Sequence, residues 1–122
     1  MHSTRNLATV LAVVAVSLFI ASALHLSGFV HGRSDIYDAD DAGIAEAVIG
    51  VVLVVGAVGL VRSAARARAM GLAATGFAIA GFGVGITITA QGGRTPDIAY
   101  HATVLPILIA TFVTLVRSAR SA

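Results

Sequence analysis

Few side chains in this chain could do chemistry in an apolar setting: His25, Glu46, Gln91, Tyr100 and His101. Two imidazoles from separate segments can ligate a haem iron, and two imidazoles with a carboxylate (His25, Glu46 and His101) suit zinc, copper or iron. The same histidine and glutamate could instead share a charge-assisted hydrogen bond or pass protons. None of them lies in a local ligand motif such as HExxH, so a site must be assembled by the fold. There is no cysteine, which removes disulfides, thiolate nucleophiles and cysteine-held metal clusters from consideration. No Ser-His-Asp layout stands out either, so the chain reads as a non-enzyme more readily than as a catalyst.

What would position these residues is set by the solvent. Hydrophobic residues make up 57% of the 122 residues and charged ones 11%, a balance that water does not support. Four apolar runs, Leu7 to Val30, Ala42 to Val61, Ala69 to Ala90 and Ile98 to Val116, are each close to the roughly 20 residues a helix needs to cross a bilayer. They are continuous rather than alternating, which predicts helices and excludes a transmembrane barrel. The first run passes a cleavage-like Ala21-Ser22-Ala23 and continues to Val30, longer than a signal core, and reads as a retained helix. The expectation is an all-α, polytopic membrane protein, one domain over residues 1–122, with four helices in an antiparallel up-down bundle.

Charge orients it. Arg5, Arg62, Arg66, Arg68, Arg117 and Arg120 flank one set of helix ends, whereas Asp35, Asp38, Asp40, Asp41, Glu46 and Asp97 lie in or beside the two opposite gaps. The positive-inside rule then puts both termini in the cytoplasm, with the plasma membrane the expected location. It also accounts for every arginine cluster without nucleic acid. Asp40 and Asp41 are expected to cap the second helix. The stretch from Asp38 fails as a calcium loop because Ile49 falls where the pattern needs glutamate.

The halves resemble one another. Gly32-Arg33-Ser34-Asp35-Ile36-Tyr37 parallels Gly93 to Tyr100, and Leu60-Val61-Arg62-Ser63-Ala64 matches Leu115-Val116-Arg117-Ser118-Ala119, the pattern of a parallel repeat of two hairpins. Close packing should fall to small residues: Ala74, Ala78, Gly81 and Gly85 on the third helix, including a GxxxG step, and Gly43, Ala47 and Gly50 on the second. Such stripes serve either internal packing or contact with a second copy or another membrane subunit. Pro106 should leave the carbonyl near Ala102 without its helical donor, with Thr103 placed to fill the gap.

In this topology His25, Glu46, Thr87, Thr89, Gln91, Tyr100 and His101 gather in the outer half of the membrane, and His31 falls in the aqueous loop. Three functions fit. The first is an accessory or interaction subunit with a polar His/Glu layer. The second is a haem- or metal-binding membrane protein. The third is a small dimeric transporter; the size and helix number are similar to the small multidrug exporters, but those carry their glutamate in the first helix, and here Glu46 lies in the second. The inner half also lacks an ionisable residue to continue an ion path.

Overall fold

The computed structural model describes residues 2–62 and 65–118, with side chains from residue 4 onward. Four helices follow in order: α1 His2–Leu26, α2 Ala39–Arg62, α3 Ala67–Gly92 and α4 Thr95–Arg117. All four are long and apolar enough to span a membrane, and no strand occurs among the described residues. The protein is thus an all-α, multi-pass membrane bundle. Ser63, Ala64, Ala119 and Arg120, invoked above for the half-to-half match and the charge pattern, lie outside the described residues.

The helix ends depart from the apolar runs for local reasons. α1 stops at Leu26, four residues before the run ends, because Gly28 takes a left-handed φ of 74°. Its N–H turns back to the His25 carbonyl (3.0 Å), and the Val30 N–H reaches Leu24 O (3.1 Å). Only glycine adopts that backbone without steric cost, so the helix ends while the hydrophobicity continues. The cap of α2 is Asp38 rather than Asp40 or Asp41: its Oδ1 accepts the N–H groups of Asp40 (2.9 Å) and Asp41 (3.2 Å). The two expected caps sit in the first turn, where their charge still favours the helix dipole. In α4, Thr103 Oγ1 donates to Ala99 O at 2.7 Å and so does not serve the Ala102 carbonyl that Pro106 leaves behind.

Neighbouring helices run antiparallel and touch where side chains are smallest. A Cβ placed on Gly50 would lie 2.8 Å from the Phe19 ring of α1, and one on Gly56 2.4 Å from Ala74 of α3. Gly81 meets Ile49 at 2.5 Å, and Gly85 meets the Nε2 of His101 on α4 at 2.7 Å. Gly81 and Gly85 thus bring α3 close to residues of the same chain. Leu11, Leu18, Leu53, Phe82 and Leu108 form the innermost core between these contacts. At the arginine-bearing end, the Leu115 carbonyl in the last turn of α4 accepts from both Arg68 Nε (2.9 Å) and Ser118 Oγ (2.9 Å).

At the opposite end the two loops are stitched together. Arg33 donates its backbone N–H to Gly92 O (2.6 Å) and its Nε to Gly93 O, while Arg94 Nε donates to His31 O (3.3 Å). Each loop thus lends an arginine to a carbonyl of the other.

Candidate functional site

Beneath those loops lies a polar layer contributed by three helices and one loop. His25 comes from the last turn of α1, Glu46 from the second turn of α2, Asp97 from the first turn of α4, and Tyr37 from the loop just before α2. Their exposures are 3%, 6%, 8% and 9%, so four polar groups are nearly sealed from their surroundings and must satisfy one another.

They do so as a chain. His25 Nδ1 lies 2.7 Å from Glu46 Oε2, His25 Nε2 lies 2.6 Å from the Tyr37 hydroxyl, and that hydroxyl donates to Asp97 Oδ2 at 2.6 Å. The protons can be counted. A phenol has one, and with that proton on Asp97, Nε2–H of His25 must be the donor to the phenol oxygen. The short His25–Glu46 contact then holds a single shared proton. Burial, first, and the hydrogen bond to Asp97, second, push the Tyr37 phenol well above its ordinary range, so it stays a donor.

His101 borders this chain. Its Nδ1–H donates to the Asp97 backbone carbonyl (3.0 Å) and lies 3.6 Å from Asp97 Oδ1, and its Nε2 packs against Gly85. Tyr100 shares a 2.7 Å hydrogen bond with Ser17 of α1, and its ring lies 6.0 Å from that of Phe82. Gln91 is not brought in: it is exposed, and its side chain donates to Thr87 O one turn back on its own helix. Thr87 likewise bonds to Val84 O, while Thr89 is buried beside the layer. His31 is exposed in its loop.

Two members of the chain, Tyr37 and Asp97, were not picked out from sequence as site residues. Asp97 counted only toward the acidic side, and Tyr37 only as half of a repeat match. The available signal was that both stand next to the start of a helix, where a side chain can fold back over the bundle end.

The donor set bears on metal binding. One ligand atom from each of His25, Glu46 and Asp97 falls within a 4.8 Å cluster. However, Glu46 meets the Nδ1 side of the ring and Asp97 the Nε2 side (3.8 Å), and these lone pairs diverge. A single ion could not take all three without turning the imidazole. An ion on Nε2 would use Asp97 and Tyr37, with Glu46 as the carboxylate that orients the ring from behind. A haem iron at His25 would have to displace one of its two short hydrogen bonds.

Two cavities flank the layer. One, of about 290 Å³, lies between α2 and α3 and is lined by Tyr37, Glu46, Ile49, Phe82, Tyr100 and His101, with Asp38 and Asp41 also on its wall. The other, of about 330 Å³, lies between α1 and α4 and reaches His25, Asp97 and Tyr100. The hydrogen-bonded chain runs from Glu46 on the first to Asp97 on the second. Comparisons with protein-family models, with curated proteins and with solved structures found no match to this chain.

Proposed function

We propose that this protein is a non-enzymatic accessory or binding subunit of the plasma membrane, both termini cytoplasmic, whose polar layer receives a ligand in the outer half of the bilayer. The observation that carries this reading is Glu46. It is 6% exposed, spends Oε2 on His25, and makes no second hydrogen bond among the described residues. Glu46 also lines the cavity between α2 and α3, where its remaining oxygen would be the group to meet a ligand. An intramembrane carboxylate held in place and left half unsatisfied at a cavity wall is a binding group by default.

Catalysis is the weaker reading because the hydroxyls near the layer are spent: Ser22 on Gly43 O (2.7 Å), Ser17 on Val14 O (2.7 Å) as well as Tyr100, and Tyr37 on Asp97. The orientation rests on Arg5, Arg62, Arg66, Arg68 and Arg117 at one end against the acidic residues at the other.

Native mass spectrometry of the protein extracted in lipid nanodiscs, together with metal analysis and an absorption spectrum, tests the reading. Wild type should carry a non-covalent adduct or metal that Glu46→Gln loses. A bare polypeptide mass, metal-free and colourless, for both proteins would contradict it. A reporter fused after Ala122 should report cytoplasm, and one inserted near Asp38 the outside.

A further inference from the structure

The cavity between α2 and α3 is selective in its hydrogen-bonding chemistry. The polar groups on its wall are mostly acceptors: the carboxylate of Glu46, which spends Oε2 on His25, Nε2 of a neutral His101, and the carboxylates of Asp38 and Asp41 toward the loop end, with Asp38 Oδ1 already capping α2. The Tyr37 hydroxyl donates its hydrogen bond to Asp97, Tyr100 is shared with Ser17, and the Thr89 hydroxyl can act in either sense. No arginine lines the space. The remaining wall is apolar and aromatic, Leu18, Ile49, Phe82 and Ile88 among it. Ala45, Val84 and Ile88 at its margin are exposed on the bundle surface, where the hydrocarbon lies.

Building on the ligand-binding reading of Glu46 above, we propose that this cavity binds an amphipathic ammonium, a protonated amine whose head donates to Glu46 and His101 and whose tail leaves past Ala45 and Val84 into the bilayer. A donor cation answers the excess of acceptors, and ring faces such as those of Phe82 and Tyr100 also attract an ammonium. A bare metal ion fits worse. It needs three or more ligands converging at about 2.0–2.6 Å, whereas about 290 Å³ of mostly apolar space has the size and lining of an organic site.

Three probes share one tail and differ only in the head: octylamine, octanol and octanoate. Each is titrated calorimetrically into nanodiscs of phosphatidylcholine bearing the protein, with empty discs as the blank. Saturable binding of octylammonium, at least tenfold tighter than octanol and with no octanoate binding, is expected. Glu46→Gln should weaken it at least tenfold. Because that variant also disturbs the pair with His25, Ala45→Phe is the second test: it fills the cavity from an exposed position, so it should abolish octylammonium binding while leaving the thermal unfolding midpoint unchanged.

Octanol or octanoate binding as tightly as octylammonium would overturn the proposal. So would octylammonium binding that survives both substitutions, or zinc displacing it at one ion per chain. Phosphatidylethanolamine in the discs distinguishes the two sources of such a head: competition with octylammonium assigns the site to a lipid headgroup, no competition to a free amine, and both keep the ammonium chemistry. An endogenous adduct that depends on Glu46 but that octylammonium does not displace would remove the amine class while leaving the binding function intact.

Discussion

The two ends of the bundle are closed by different means. At the arginine-bearing end, Gly59 and Gly71 admit Met70, Leu60 and Leu115 to van der Waals contact, and a cap from Arg68 finishes α4. At the other end, His25, Tyr37, Glu46 and Asp97 hold three helices and a loop through short hydrogen bonds. In lipid, packing is a graded force: removing one apolar side chain loses contacts in proportion to the space left. A buried polar chain behaves differently, because deleting one member leaves its neighbours without partners in a medium that supplies none. The polar end is therefore expected to be the more brittle of the two.

The largest effect should come from His25→Ala, which strands Glu46 and the Tyr37–Asp97 pair together. A loss of about 3–5 kcal/mol is expected, read as a fall in the unfolding midpoint of protein in detergent. Leu108→Ala, in the middle of the core, should cost about 2 kcal/mol, the low end for such truncations, since lipid makes the loss one of packing rather than transfer. An equal or larger effect at Leu108 would break the contrast between the ends.

Tyr37→Phe removes one link and should cost about 1–2 kcal/mol. Its effect also depends on pH. The folded-state pKa of Tyr37 is raised, so its stabilisation is complete below the ordinary phenol value of about 10 and is lost as pH climbs through the elevated folded value. The phenylalanine variant should show a smaller alkaline loss of stability, whereas a substitution at the arginine end should retain the full loss.

The fold was readable in the sequence because the solvent dictates it: continuous apolar runs in lipid have to be helices, and arginine and acid sort to opposite ends. Boundaries were less readable, since hydrophobicity marks depth and not helix. The left-handed turn at Gly28 ends α1 while Phe29 and Val30 continue the apolar pattern. Within the site, His25 and Glu46 stood out because ionisable groups in apolar runs are conspicuous. Tyr37 and Asp97 did not, because a side chain in or beside a loop carries no periodicity to say whether it folds inward.

Gln91 fails for the converse reason: depth placed it in the layer, but its helical face turns it outward. The halves align Tyr37 with Tyr100, yet Tyr37 pairs with Asp97 and Tyr100 with Ser17. The similarity of the halves therefore did not forecast the contacts.

The four buried polar residues His25, Tyr37, Glu46 and Asp97 are expected to act as one unit. A double-mutant cycle of His25→Ala and Glu46→Gln, followed by reversible unfolding in detergent, tests it most directly. Because each single change already breaks the shared contact, the double variant should be less destabilised than the sum of the two, with a coupling of at least about 1 kcal/mol. Additive effects, each near zero, would mean that His25 and Glu46 are independent residues and that no such unit exists.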